Sequence, residues 1–274
     1  MRSISAWFRS IVGPAASLLL GLCFAGSAGA TSANTDLSDI WWTPTESGWG
    51  VQFVNTGLFV FATTFVYGPD GKPTWVTGEL HKTNNSAVLP TFSGPVYVNT
   101  GPWFGGAFNP ANVNSRQAGT MSFSFLEPPY VGRLTFSVDG VVVTKDVFRQ
   151  TLTMDDYTGT YAAFLTATAE DCTNPAGNVS VTSPVGVQIY HNGDQIWIAV
   201  ANPNNVTCTT TGTYRQYGRL GLVTGTYTCT NGDSGDALYL EMSNQVKQIG
   251  TRFVFHSAVT KCASRGWIAG LVPD

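Results

Sequence analysis

The chain has 274 residues, of which 43% are apolar and only 11% charged, and it carries a formal net charge of −3 at pH 7. So much apolar content with so little net charge excludes an intrinsically disordered chain. The lack of a Lys/Arg cluster argues against nucleic acid or an anionic membrane surface as the main partner.

Residues 1–30 read as a secretory signal peptide. Arg2 and Arg9 form the positive n-region, Ile11 to Phe24 the apolar h-region, and Ala28-Gly29-Ala30 the cleavage site. The apolar run is shorter than the ~20 residues a spanning helix needs. Leu22 before Cys23 also speaks against a lipoprotein signal. Cleavage removes two arginines and no acid, so the charge goes from −3 to −5. The expected location is outside the cytoplasm, periplasmic or extracellular, with no membrane span in the mature chain.

Residues 31–38 are a short polar leader, and the first strand is expected after Trp42. Trp49, Val51 and Phe53 alternate with Gly50, Gln52 and Val54, the period of a strand. Leu58 to Tyr67 is a second strand, with Phe59, Phe61, Phe65 and Tyr67 on one face. Pro69-Asp70-Gly71 supplies a tight turn, because proline fixes φ and glycine tolerates a positive one. Pro73 to Leu80 returns as a third strand. Weaker strands follow at Ser93–Asn99 and Gly119–Leu126, around a Gly/Pro/Asn-rich loop, Thr100–Ala118. Val131–Val138 and Val141–Leu152 form a hairpin across Asp139-Gly140. Thr153–Asp156 marks the expected boundary, so the domains read 31–153 and 154–274. Eight more strands are expected: Gly159–Thr166, Val185–Tyr190, Gln195–Ala201, Val206–Tyr217, Leu220–Thr230, Ala237–Ser243, Thr251–His256 and Gly266–Leu271.

Short antiparallel strands joined by tight turns make either sandwiches or up-and-down barrels. The meander order favours two tandem all-β barrels, which also hide their edge strands. An internal duplication is expected from three parallels in the same order. Gly50-Val51-Gln52-Phe53 matches Gly186-Val187-Gln188-Ile189, Ser93–Tyr97 loosely matches Thr211–Tyr214, and Gly119–Phe123 matches Gly225–Cys229.

Four cysteines remain after cleavage, all in the second half. Cys208 lies ten residues before Gly218, and Cys229 ten after Arg219. If Gly218-Arg219 is a two-residue type II′ turn, the two cysteines sit opposite each other on a hairpin. The expected bridges are therefore Cys208–Cys229 and Cys172–Cys262. No C-x-x-C or histidine spacing points to zinc, and no cofactor is expected.

Several segments of the first half occur together as a set: Trp41-Trp42-Thr43-Pro44-Thr45-Glu46-Ser47-Gly48-Trp49-Gly50, then Phe61–Tyr67, then Asp70-Gly71-Lys72-Pro73-Thr74-Trp75. Thr100-Gly101-Pro102 and the closing Thr144–Gln150 accompany them. Residues 40–152 thereby resemble a family of exported proteobacterial β-rich proteins whose function is unassigned. Val76 departs from the Tyr or Leu usual in that family. The resemblance implies export and a β-rich module, and it brings no catalytic residues.

The chemistry-bearing residues are few. His81, His191 and His256 have no metal-ligand spacing, and no H-E-x-x-H, P-loop or G-x-S-x-G occurs. Gly232-Asp233-Ser234-Gly235 matches a serine-protease nucleophile segment but lacks the histidine context, so it reads as a turn, with calcium at Asp233 and Asp236 as the other option. Glu46 stands among tryptophans and is expected to pair with Lys145 or Arg149 where the barrel closes. The candidate ligand-contacting residues are Trp42, Glu46, Trp49, Trp75, Trp103, Lys145 and Arg149. The leading function is a non-enzymatic binding or surface-interaction module for a glycan, an apolar small molecule or an exported protein. The alternatives are a hydrolase using carboxylates such as Glu46, Asp155 and Asp156, and an envelope structural protein or an inhibitor of an exported enzyme.

Overall fold

The computed structural model describes residues 36–273 except 85, 87, 88, 128 and 246. The expected signal peptide at 1–30 lies outside the described residues.

Eight antiparallel strands close the first barrel. They are β1 (Asp39–Trp42), β2 (Gly50–Asn55), β3 (Phe59–Tyr67), β4 (Pro73–Lys82), β5 (Thr91–Thr100), β6 (Asn114–Glu127), β7 (Val131–Val138) and β8 (Val141–Arg149). Each strand pairs with its sequence neighbours, and β1 pairs with β8 to complete the ring. The second barrel repeats the plan with β9 (Gly159–Glu170), β10 (Ser180–Asn192), β11 (Gln195–Ala201), β12 (Thr207–Tyr217), β13 (Leu220–Cys229), β14 (Ser234–Gln245), β15 (Gln248–Ser257) and β16 (Ala263–Leu271), closed by β16 on β9.

The interiors are filled by side chains, in two different ways. In the first barrel Trp41, Phe53 and Phe125 crowd around Phe123, with ring centroids 5.2 Å from Phe123 for each of the three. This volume explains the composition of β3, where small residues (Val60, Ala62, Thr64) point inward and the large aromatics point out. The second barrel packs tyrosines instead, and their hydroxyls are satisfied as buried polar groups must be. Tyr161 donates to Tyr157 O at 2.8 Å, Tyr227 to Asp233 Oδ2 at 3.0 Å, and Tyr239 shares a 3.2 Å bond with Thr210. Burial pushes the Tyr239 hydroxyl up to about 12, so it stays protonated.

Several strand limits differ from expectation. The first strand, β1, begins at Asp39 and ends at Trp42, ahead of the expected start, and its four residues offer too few alternations to show a period. β6 begins at Asn114 and β10 at Ser180, each with a polar, exposed start that runs beyond the core and so carries no apolar signal. β8 stops at Arg149. Of the three internal parallels, the one at Gly50 and Gly186 falls on the second strand of each barrel. The other two join the fifth and sixth strands of the first barrel to the fourth and fifth of the second, so they are out of step.

The hairpin of β12 and β13 has the expected register. Tyr217 pairs with Leu220, and Cys208 lies opposite Cys229 and is bonded to it. Gly218 takes φ +61 at the first turn position, as a type II′ turn requires. Cys172–Cys262 is the other bridge.

The tip of this hairpin docks against one end of the first barrel. Tyr130, Val131 and Leu220 form a small buried cluster, backed by Tyr217 and Phe148. The Tyr130 hydroxyl donates to Gly221 O and accepts from Glu241 N, and its ring lies 4.5 Å from that of Tyr217. Around it, Arg219 N donates to Asp39 Oδ2 at 3.1 Å, and Gly218 N to Thr151 Oγ1 at 3.1 Å. A Cβ at Gly218 would collide with Asp39 Oδ2, so the close approach needs glycine as much as the turn does.

Candidate functional site

In an up-and-down barrel alternate connections share an end. The end of the first barrel away from the docked hairpin therefore carries four of them: 43–49, 68–72, 101–113 and 139–140. Most of the candidate residues gather here.

Glu46 sits in the first connection, in a turn closed by its own N–H donating to Thr43 O at 2.9 Å. Lys145 lies on β8 on the inward-facing side with Val147, and its Nζ donates to both carboxylate oxygens of Glu46 at 2.7 Å. Trp49 Nε1 donates to the same carboxylate at 3.2 Å, while its ring packs on the core. Thr43 Oγ1 adds a bond to Asp146 O at 3.0 Å. The connection is thus pinned to the closing strand, and Glu46 pairs with Lys145 rather than with Arg149. The Lys145 hydrogen bond holds the Glu46 carboxyl below the usual carboxylate range, against a smaller opposing effect of desolvation.

The sign of this shift sets a pH dependence. A folded-state pKa below the unfolded one gives stability that is present above the ordinary carboxylate pKa of about 4.3 and is lost as pH falls through the folded value. Glu46→Gln is expected to lower the melting temperature slightly at pH 7, as an exposed pair should. Wild type and variant should converge in strong acid. Melting curves across pH check this; a constant offset at all pH values would contradict it.

Arg149 lies at the other end of the barrel, with none of its side chain exposed. Its guanidinium donates to Asp39 Oδ2 at 3.1 Å, to Pro129 O at 2.8 Å and to the carbonyls of Asp36 and Ser38, and it stacks 4.5 Å from the Trp41 ring. No face remains for a ligand, so its place among ligand-contacting residues is corrected: it is a structural hub. The sequence placed Lys145 and Arg149 on one strand face correctly, but that face spans the barrel and sends them to opposite mouths.

Apart from Trp42 and Trp49, the candidate aromatics at the distal end are open to solvent. Trp42 is half-buried on β1, opposite Phe148. Trp75 faces outward, directly across from Phe65, with Tyr67 beyond, and all three are exposed. In the third connection Trp103 is 72% and Phe104 92% exposed, with ring centroids 5.9 Å apart, and Phe108 is exposed nearby. No charged residue occurs from Gly101 to Ser115. The sequence singled out Trp103 from its Gly-Pro-Trp-Phe-Gly-Gly setting but passed over Phe104 and Phe108, which share that setting.

The carboxylates weighed for hydrolysis do not converge. Glu46 is at the distal end, whereas Asp155 and Asp156 lie in the link between barrels. There Asp155 N donates to Gln216 Oε1 at 2.7 Å, and the Asp156 carboxylate accepts from Thr158 N at 2.8 Å. Asp233 is the centre of a turn, accepting from Tyr227 Oη, Ser257 Oγ and Ser234 N, and among the described residues no cluster of His, Cys, Asp or Glu could hold a metal ion. The Gly-Asp-Ser-Gly segment is accordingly a strand entry. No helix among the described residues is long and apolar enough to cross a membrane.

No protein-family model matches the chain, and no curated protein matches it. Among solved structures the chain is similar to one from Bacteroides fragilis titled a "putative outer membrane protein", at 16% identity and a TM-score of 0.33, covering 86% of this chain and 96% of that one. A likeness at that level carries no functional argument, so function is argued from the chain's own geometry.

Proposed function

We propose that the protein is an exported, non-enzymatic binding or surface-interaction module that works through the aromatic distal end of its first barrel. The single observation behind this reading is that Trp103, Phe104 and Phe108 are exposed on a charge-free loop, at the barrel end that also carries exposed Trp75, Phe65 and Tyr67. Several large aromatics exposed at one end of a barrel cost solubility, and such surfaces are typical of interaction sites. The filled barrel interiors direct a partner to the outer surface. Export accords with two disulfides, which persist in oxidising compartments, and with the resemblance to exported proteobacterial β-rich proteins. The partner is a glycan, an apolar molecule or another exported protein, all of which aromatic rings can grip.

Trp103→Ala combined with Phe104→Ala tests the reading. Binding in a screen of neutral glycans, lipids and envelope extracts, read by calorimetry, is expected to fall at least tenfold. The melting temperature should be unchanged, since both side chains are in solvent. Retained binding in the double variant would overturn the assignment to this end.

A further inference from the structure

The outer wall of the second barrel carries a separate feature that the distal end does not explain. Between β9, β15 and β16 lies a groove of about 570 Å³, within the size range of small-ligand sites. Trp267 lines it, 47% exposed although it is a large indole on a strand. The register sets its surroundings. Trp267 is directly opposite Arg252 on β15 and Thr166 on β9, and Arg265, two residues earlier on the same face, is opposite Thr168. His256 also lines the groove, and no carboxylate does. Two guanidinium groups thus flank an aromatic surface, with the carboxylates that pair with them, Glu170 and Glu241, outside the groove lining.

Neither arginine is fully committed. Arg265 reaches Glu170 at 2.8 Å, but both side chains are about half exposed, and such pairs are worth little. Arg252 approaches Glu241 only to 3.5 Å, and its Nε is buried without a hydrogen-bond partner. The flanking threonine hydroxyls of β9 make mutual bonds with β10, Thr166 with Thr182 at 3.2 Å and Thr168 with Ser180 at 3.0 Å, and each hydroxyl keeps further bonding capacity.

An aromatic surface flanked by forked cationic donors and hydroxyls suits a ligand with an apolar ring face and an acidic substituent. The indole covers the C–H face of a pyranose, a guanidinium takes a carboxylate or sulfate by two parallel bonds, and the threonines serve ring hydroxyls. We propose that this groove binds an anionic sugar ring, a uronate or a sulfated residue of a polysaccharide. The site is independent of the distal end of the first barrel.

The full chain would be titrated with a galacturonic acid hexamer, its methyl-esterified neutral counterpart and a heparin-derived hexasaccharide, followed by tryptophan fluorescence and calorimetry. Saturable binding of at least one acidic oligosaccharide is expected, at least tenfold tighter than the neutral one and weaker at higher salt. Trp267→Ala and Arg265→Gln should each weaken it about tenfold, and Trp267→Phe should retain most of it. Both positions are exposed, and unchanged melting temperatures will show that the variants fold. The Trp103→Ala/Phe104→Ala protein should bind the acidic sugar normally, which separates this site from the distal one. No binding of either acidic oligosaccharide, equal binding of the neutral one, or insensitivity to Trp267→Ala would overturn the proposal.

Discussion

Arg149→Met is expected to destabilise the protein by roughly 3–5 kcal/mol, the cost of leaving one half of a buried ion pair alone. The guanidinium lies where three things meet: the barrel seam between β1 and β8, the segment entering β1, and the docked hairpin. Its removal leaves the Asp39 carboxylate, which is 11% exposed, with backbone N–H donors but without its guanidinium partner, and leaves the carbonyls of Asp36, Ser38 and Pro129 without the donor that Arg149 supplies. Burial pushes the Arg149 pKa down, with Asp39 the main opposing influence, so the two charges depend on each other. Lysine should not rescue the site, because a point charge cannot serve several acceptors around a planar fork. The double variant Asp39→Asn/Arg149→Met should lose less than Arg149→Met alone, because no unpaired charge remains.

The same site couples the two barrels, and this gives a second readout. Hydrogen exchange read on peptides from each barrel follows the two separately and leaves Trp41, which stacks on Arg149, in place. Wild type is expected to unfold in one transition, and Arg149→Met in two that no longer coincide. Gly218→Ala should uncouple them as well, since its methyl group would meet both Asp39 and Arg149 at a positive φ. Denaturant curves for Arg149→Met within about 1 kcal/mol of wild type would show that the hub is not needed.

Much of this architecture was legible in the sequence, for reasons that can be traced to particular residues. The Cys208–Cys229 register followed from one turn, because a two-residue loop at Gly218-Arg219 fixes every pair outward from it. The closure contact of Glu46 followed from an inward lysine on the last strand of a ring. Strand period alone was less informative where both faces are apolar. In β3 the alternation separates Phe59, Phe61, Phe65 and Tyr67 from Val60, Ala62, Thr64 and Val66, but it does not say which set faces in. The volume left by Trp41, Phe53 and Phe123 decides that, and those residues come from other strands. The role of Arg149 is hidden for a related reason: its partners Asp36 and Asp39 are more than a hundred residues away in the chain, and only ring closure brings them together. Trp267 gave no local signal, since its setting of Arg252, Arg265 and Thr166 is drawn from three strands.

Removing the Cys172–Cys262 bridge as Cys172→Ala/Cys262→Ala is expected to cost more than removing Cys208–Cys229 in the same way. The sequence separations are 90 and 21 residues. Chain entropy then gives about 4–5 kcal/mol for the first and about 3 kcal/mol for the second, as upper values. Topology points in the same direction. Cys208 and Cys229 join neighbours in a hairpin whose ladder runs unbroken to Tyr217 and Leu220, so the strands stay together without the bond. Cys172 and Cys262 flank the β9–β16 pairing, the one contact of the second barrel that joins its first strand to its last. That seam has to find its partner across nearly the whole domain, so it carries a larger loop-closure cost than the hairpin. Both bridges lie at the end of the second barrel away from the docked hairpin, so the inter-barrel contacts should survive either loss. The seam variant should therefore lower the common denaturant midpoint, with the two barrels still unfolding together. A larger loss from Cys208→Ala/Cys229→Ala would mean that the hairpin, rather than the seam, is the weak point of the ring.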